Sequence, residues 1–211
     1  MTDADLTPAM ELIDQSHIGP RLRAQREDLR LSLRETARRV GVSASLISQI
    51  ERDKVNPSVS TLYALVRELG LTMGDLFAGD DSFTVASRLA VNGPDGPVVR
   101  AEHRAAITLA SGVTWERLTS TSDPNVEFLH VVYDVESESC PEDNLMRHTG
   151  KEYGYVISGR LGVQIGFDRF DLGPGDSISF DSSAPHRLWA IGDTPAEAIW
   201  AVVGRHDSYP P

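Results

Sequence analysis

Two stretches of this sequence contain residues whose types and spacing could do chemistry. One carries imidazole and carboxylate groups, which are ordinary ligands of divalent transition metals, in the pattern His148-x3-Glu152-x6-Gly159 and then Pro174-Gly-Asp176…Pro185-His186. The other, residues 32–52, reads SLRETARRVGVSASLISQIER and presents hydroxyl, amide and guanidinium groups that could hydrogen-bond a polar partner. Each set needs structural elements that hold its side chains together.

Residues 32–52 have the pattern of two short helices joined by a tight turn. One helical face is marked by apolar and small residues at i, i+3, i+4 and i+7, namely Leu33, Thr36, Ala37 and Val40. Ser32 and Glu35 fit a capping box at its start, and Gly41 is a typical stop. Ser43 then caps a second helix. This order indicates a helix-turn-helix.

The segment 18–77 resembles the five-helix DNA-binding domain of the phage-repressor type, the XRE family. The matching positions are 22–29, Leu33, Ala37, Gly41-Val42-Ser43, Ile47-Ser48-Gln49-Ile50-Glu51, Asn56-Pro57, 62–69 and Leu76-Phe77. Where the family usually has Gly after a Glu-Arg pair, this chain has Asp53, which tolerates a left-handed backbone better than most residues. We also expect Arg26 and Glu51 to form an internal ion pair.

The resemblance implies that the second helix enters the major groove of double-stranded DNA. It implies a base-facing set of Ala44, Ser45, Ser48 and Gln49 and a phosphate-holding set of Ser32, Arg52, Lys54, Asn56 and Ser58, with Ser43 at the helix start completing the DNA-binding residues. The Gln49 amide could bond an adenine edge with both of its groups. The phosphate contacts would fix register without reading sequence.

The charge distribution fits a protein with one DNA-facing end. The 211-residue chain has a net charge of -11, but residues 18–71 carry ten basic against six acidic side chains. Residues 1–17 contribute -4 and residues 72–211 contribute -11. Basic charge is therefore concentrated where phosphates would be met. The sequence has no apolar run of membrane-spanning length and no signal-peptide layout, and its single cysteine excludes an internal disulfide, so we expect a cytoplasmic protein.

The periodicity changes after residue 78. Short segments rich in Val, Ile, Tyr and Phe predict strands at 84–91, 98–104, 107–109, 113–118, 127–135, 153–157, 160–167, 169–172, 177–180, 186–190 and 196–203. This spacing favours an antiparallel sandwich or barrel. We therefore expect an acidic, mobile tail at 1–16, a helix-turn-helix domain at 17–78, a linker at 79–96 and a sensor domain at 97–205, with strands from about residue 83 joining it.

Within the second region, the motifs that contain His148, Glu152 and His186 resemble the two signature motifs of the cupin family, a jelly-roll barrel. The resemblance implies that these three residues point into the barrel at a divalent metal, with Fe, Zn, Ni or Mn as candidates. Met146 stands where the family usually has a further His ligand. A metal-free pocket that hydrogen-bonds an organic ligand is therefore the alternative. Proximity adds a ligand-pocket set of Met146, Tyr153, Tyr155 and Arg187.

A DNA-reading domain joined to a pocket describes a transcriptional regulator that senses an unknown small molecule or a metal ion. Both families commonly pair, so we expect a homodimer that places two recognition helices about one helical turn of DNA apart, ~34 Å, or a multiple of it. The alternative is an enzyme, because the domain order and the His-x3-Glu…His triad also resemble hydroxypropylphosphonic acid epoxidase, a non-haem iron enzyme. Such an enzyme needs a cationic clamp for its phosphonate, for which Arg147 and Lys151 are the nearest candidates in sequence.

Overall fold

In the computed structural model, the described residues are 14–15, 18–77, 96–123 and 125–205. The first part is helical, with α1 at Gly19–Asp28, α2 at Leu33–Val40, α3 at Ala44–Ile50, α4 at Val59–Leu69 and α5 at Met73–Leu76. The five expected helices are therefore present. Their apolar faces meet in a core that includes Leu22, Ile47, Ile50 and Leu62.

Side-chain caps fix where these helices begin. Ser32, Ser43 and Ser58 each accept a hydrogen bond from the backbone amide three residues on. The expected capping box at Ser32 is only half formed, because the Glu35 carboxylate accepts from Arg38 and Arg39 instead of reaching back. The complete capping box lies at the start of α5, between Thr72 and Asp75.

Asp53 has a structural task at the position where the family usually has Gly. Its backbone is left-handed, with φ +49°. Its carboxylate Oδ1 accepts a 2.8 Å hydrogen bond from the amide of Gly19, in the first turn of α1. The acidic side chain thus satisfies a helix-terminal donor that a glycine would leave to water, which offsets part of the backbone strain.

The second part consists of strands in two facing sheets. They are β1 at Asp14–Gln15, β2 at Ala105–Thr108, β3 at Val113–Arg117, β4 at Val126–Tyr133, β5 at Lys151–Ser158, β6 at Leu161–Ile165, β7 at Asp168–Leu172, β8 at Ser177–Asp181, β9 at His186–Ala190 and β10 at Ala196–Val203. Seven pair in the order β1-β2-β3-β4-β10-β5-β8, and three in the order β7-β6-β9. All pairs are antiparallel except β1 with β2.

Three expectations need correction. The jelly roll is not a closed barrel, because no ladder joins the two sheets among the described residues and only isolated bridges such as Met146 with His186 link their margins. The strand expected at 98–104 is wrong, since Ala101–His103 forms a 3-10 turn closed by a bond from His103 N to Arg100 O. In the expected mobile tail, Asp14–Gln15 forms a strand. The strand at 84–91 and nearly all of the linker lie outside the described residues.

The helical part packs directly against the open end of the sandwich. The Tyr63 ring of α4 lies 5.3 Å from the indole of Trp115 on β3, centroid to centroid. The amide of Ala110 donates a 3.0 Å hydrogen bond to the carbonyl of Pro57, just before α4. Helix α4 therefore belongs to both cores at once. Within the described part of the chain, no helix is long and apolar enough to span a membrane.

The buried Arg26–Glu51 pair gives the first prediction. Its Nε–Oε1 and Nη2–Oε2 distances are 2.6 and 2.8 Å, so it ties α1 to the end of α3 by two bonds. Arg26→Ala leaves a buried carboxylate uncompensated and is expected to lower the free energy of unfolding by about 3–5 kcal/mol. Urea denaturation followed by circular dichroism measures this loss.

Arg23→Ala is the matched control for that variant. Arg23 pairs with Glu27 at 2.8 Å on the exposed face of the same helix. Because exposed ion pairs contribute little, this change is expected to cost no more than about 1 kcal/mol. Equal losses for the two variants would contradict a structural role for the buried pair.

Candidate functional site

The structure places all ten residues of the expected DNA-binding set at least partly at the surface. Ser43 and Ser45 at the start of α3 are exposed, and Ser48 and Gln49 one turn later are partly exposed. The opposite face of α3 is anchored by the buried Ile47 and Ile50. The polar face of the helix is therefore presented outward by a rigidly packed apolar face, as a recognition helix requires.

Three of the expected DNA-binding residues are helix caps. The hydroxyls of Ser32, Ser43 and Ser58 accept from backbone amides at 3.1, 3.1 and 3.2 Å. They hold helix N-termini whose first-turn amides carry partial positive charge and suit an anion such as a phosphate. Arg52, Lys54 and Asn56 are exposed beyond the end of α3.

The second site is a cluster of His148, Glu152 and His186 inside the sandwich. Glu152 lies on β5, His148 lies just before β5 and His186 begins β9, so two separate pieces of chain supply the three groups. The Oε1 atom of Glu152 is 2.9 Å from Nε2 of His148 and 3.1 Å from Nε2 of His186. These spacings match adjacent ligands around an ion bound at about 2.1 Å, which lie about 3 Å apart.

Backbone carbonyls set the tautomers of both imidazoles. Nδ1 of His148 lies 2.9 Å from the carbonyl oxygen of Thr149, and Nδ1 of His186 lies 3.0 Å from that of Ala184. A carbonyl only accepts, so each Nδ1 carries a hydrogen and each neutral imidazole turns its Nε2 lone pair toward Glu152. Such outer partners are how proteins usually orient histidine metal ligands.

A buried carboxylate between two imidazoles requires positive charge. Burial by itself raises the pKa of Glu152, but the adjacent imidazoles of His148 and His186 outweigh it and hold that pKa well below its ordinary value. Burial also lowers the pKa of His186, yet Glu152 more than reverses this and raises it. No hydrogen bond of good geometry reaches Oε1 among the described residues. The cluster is therefore built for a shared proton or a cation, and it could hold a metal ion.

The other oxygen of Glu152 is held by Trp200. The indole Nε1 of Trp200, on β10, donates a 2.7 Å hydrogen bond to Oε2. Gly154, the cross-strand neighbour of Trp200, makes this possible, because a Cβ at that position would lie 2.0 Å from the indole. The glycine on β5 thus allows the ring to lie over the strand and fixes the carboxylate.

Helix α4 covers the cluster. The cavity inside the sandwich measures about 30 Å³ and is lined by Val59 and Tyr63 of α4 together with His148, Glu152 and His186. That volume is about the share of one water molecule in the liquid. The interior in this conformation therefore has room for an ion or a water molecule beside the cluster.

The structure brings only one residue of the expected ligand-pocket set to the cavity around the cluster. Along β5, Glu152 points inward, so Tyr153 and Tyr155 face outward and are 48% and 50% exposed. Arg187 follows the inward-facing His186 on β9, so its side chain lies on the opposite face of the strand. There it pairs with Glu138 and stacks on Trp189. Of that set, only Met146 lines the cavity.

Sequence reasoning missed the groups that surround the cluster. Trp200 was not among the expected site residues, although its indole donates a hydrogen bond to Glu152. Arg205 stacks over the Tyr63 ring at 3.8 Å and pairs with Glu127 at 3.1 Å, which joins the end of the sandwich to α4. No local pattern indicates these contacts, because the partners are 48, 142 and 78 residues apart in sequence. The alternation of side chains between the two faces of β5 was the one available signal that Tyr153 and Tyr155 face outward.

Comparison with known families agrees with this architecture. Residues 22–76 match the helix-turn-helix family, and residues 130–202 match the cupin domain family. The chain joins a helix-turn-helix domain to a cupin domain. The HTH-type transcriptional regulator PuuR of Escherichia coli is 28% identical over 168 residues, which span 80% of this chain and 84% of that protein.

One solved structure shares the fold over most of this chain. An HTH_3 family transcriptional regulator from Vibrio cholerae superposes with a TM-score of 0.60 at 23% identity, covering 93% of this chain and 97% of that one. This likeness concerns the fold. Hydroxypropylphosphonic acid epoxidase from S. wedmorenis has a TM-score of 0.42 at 19% identity, covering 90% and 98% of the two chains. A superposition this loose does not extend to the chemistry of a site.

The Trp200–Glu152 bond gives the second prediction. Trp200→Phe keeps an aromatic ring but leaves Oε2 of a buried carboxylate without its donor, which is expected to cost about 1–3 kcal/mol of unfolding free energy. Trp189→Phe is the control, because Trp189 stacks on Arg187 at 4.8 Å, away from the cluster. Its cost is expected to be smaller by at least about 1 kcal/mol. Urea unfolding compares the two, and equal costs would refute the special role of Trp200.

Proposed function

We propose that this protein is a DNA-binding transcriptional regulator whose cupin domain senses a metal ion or a small molecule. The observation that carries the proposal is the shared helix α4. It contributes Leu62, Leu65 and Leu69 to the helical core, while Val59 and Tyr63 close the cavity that contains the His-Glu-His cluster. A metal ion or ligand bound at the cluster would thus act directly on α4, the helix that supports the recognition helix α3.

The DNA-binding part of the proposal rests on surface and charge. Helix α3 presents Ser45, Ser48 and Gln49 outward, and Arg52 and Lys54 follow at its end. Within a chain of net charge -11, residues 18–71 carry +4. Acidic surface elsewhere would repel DNA and leave this face as the one that approaches it. Gln49 is the residue we assign to direct base contact.

We propose a homodimer that pairs through the outer face of the larger sheet. Phe128, Tyr153, Tyr155 and Ile157 are 38%, 48%, 50% and 44% exposed there, and Ala201 pairs with both Phe128 and Tyr153 across the strands. Contiguous apolar patches on a surface usually mark an interaction site. A second copy seated on this face would give the two recognition helices that a symmetric operator requires.

For the sensor, we propose that His148, Glu152 and His186 hold a divalent metal ion. Two imidazoles and one carboxylate, with room for further ligands, suit Fe²⁺, and Zn²⁺, Ni²⁺ and Mn²⁺ are also compatible. The bound ion would supply the positive charge that the buried carboxylate requires. Met146 lines the cavity without adding a ligand suited to a hard ion.

The enzyme alternative is disfavoured by the sequence relatives. The relatives that match most of the chain's length in sequence are named as transcriptional regulators. This observation supports a sensory rather than a catalytic cupin domain.

The proposed DNA contacts give the third prediction. A footprint on DNA upstream of the protein's own gene is expected to show two-fold symmetric protection with half-sites about 34 Å apart or a multiple of it. Gln49→Ala is expected to weaken binding to this site by about 1–3 kcal/mol and to relax the choice of base at one position per half-site.

Lys54→Ala is the contrast for Gln49→Ala. Because Lys54 is assigned to a phosphate contact, Lys54→Ala should weaken binding to all DNA sequences alike. It should also lower the slope of log affinity against log salt by about 1. If Gln49→Ala also weakens binding to the site and to unrelated DNA equally, its assignment to base reading fails. Unsymmetric protection would reject the dimer, and no protection on this DNA would reject autoregulation.

The metal proposal gives the fourth prediction. After equilibration with Fe²⁺ without oxygen, or with Zn²⁺, Ni²⁺ or Mn²⁺, and then dialysis, one of these ions is expected at one per chain by elemental analysis. Glu152→Gln removes the anionic ligand while keeping the side-chain shape, and is expected to lose that ion. His103→Gln, at an exposed histidine in the 3-10 turn, is the control and should retain it. Equal content in both variants would place the ion elsewhere.

A further inference from the structure

We propose that the cleft between α4 and the sandwich is the binding site of a small anionic effector, a molecule that carries carboxylate or phosphate groups. The cleft has a volume of about 530 Å³, whereas the cavity around the His-Glu-His cluster has about 30 Å³. Organic ligand sites in proteins usually have volumes of about 300–1,000 Å³. The cleft therefore has the size that the inner cavity lacks.

The two walls of the cleft come from the two domains. Ser60, Ala64 and Arg67 line it from α4, and residues 144–149 line it from the segment that leads into β5. Successive turns of α4 thus face a segment of the cupin domain across open space. A ligand seated there would contact both domains at once.

The charge of the lining selects an anion. Arg67 and Arg147 lie on opposite walls, are exposed, and have no carboxylate partner among the described residues. Arg205 also lines the cleft but is already paired with Glu127. None of the described lining residues is Asp or Glu, in a chain whose net charge is -11. Two uncompensated guanidinium groups facing one space favour carboxylate or phosphate, which they can bind by two parallel hydrogen bonds.

The cleft and the inner cavity are adjacent and share lining residues. Tyr63, Met146 and His148 line both the cleft and the inner cavity. The Tyr63 ring lies 5.9 Å from the imidazole of His148 and is stacked beneath Arg205. An anion held between Arg67 and Arg147 would fix α4 relative to the cupin domain next to this ring. Its effect on DNA binding rests on the proposed function, but the binding itself does not.

Calorimetric titration of the full-length protein with inorganic phosphate, and separately with succinate, at constant ionic strength, tests the site. Saturable binding of at least one probe is expected, and the stronger probe identifies the anionic group that the site prefers. Arg67→Glu and Arg147→Glu should each weaken that binding at least tenfold. Arg100→Glu makes the same charge change at an exposed arginine of the cupin domain away from the cleft, and should leave it within twofold.

Three results would overturn the site. They are no saturable binding of either probe, equal weakening by Arg100→Glu, or unchanged binding in both cleft variants with native circular dichroism. The coupling is read separately, as the affinity for the footprinted DNA with and without the probe. A shift of at least fivefold is expected in the wild type and not in Arg147→Glu. Anion binding without such a shift would overturn the coupling and leave the site in place, whereas absence of specific DNA binding by the wild type would count against the proposed function alone.

Discussion

The structure depends on one helix that packs in two directions. Helix α4 buries Leu62, Leu65 and Leu69 against the other helices, and its Tyr63 lies between Trp115 of the sandwich and the Arg205 guanidinium. A helix that is apolar on more than one face is stable only where every such face is covered. The open end of the sandwich supplies that cover, and the helix in turn excludes solvent from the sandwich interior. Neither domain can move relative to the other without exposing part of this packing.

A second constraint follows from the first. Once α4 closes the sandwich, Glu152 is a carboxylate in a water-poor interior, and its charge must be met by neighbours. His148 and His186 are oriented by backbone carbonyls, and Trp200 bonds the remaining oxygen. The pKa of Glu152 is depressed because His148 and His186 outweigh the effect of burial. The site is thus arranged for a cation of small size, while the larger and more basic cleft outside remains suited to an organic anion.

The helical half could be predicted well because its signals are local. The i, i+3, i+4, i+7 spacing, the serine caps and the Gly41 stop act within one or two turns, and the structure follows them. The gathering of His148, Glu152 and His186 was implied by family motifs rather than by periodicity. The residue of α4 that covers the cavity could not be predicted from the sequence. Tyr63 has the pattern of one more residue of an amphipathic helix, and its partners are distant in sequence. The outward position of Tyr153 and Tyr155 was not anticipated, because nearness in sequence was treated as nearness in space although side chains alternate between the two faces of a strand.

The most direct test of the central claim, that the two domains form one coupled unit through α4, is to measure the affinity of the cluster for its metal ion with and without saturating operator DNA. Linkage requires that a DNA-dependent change in metal affinity equal the metal-dependent change in DNA affinity. The account predicts that the metal dissociation constant shifts by roughly 5–150-fold on DNA binding, the usual range of such coupling. Identical metal affinity in free and DNA-bound protein would contradict it and make the two domains independent.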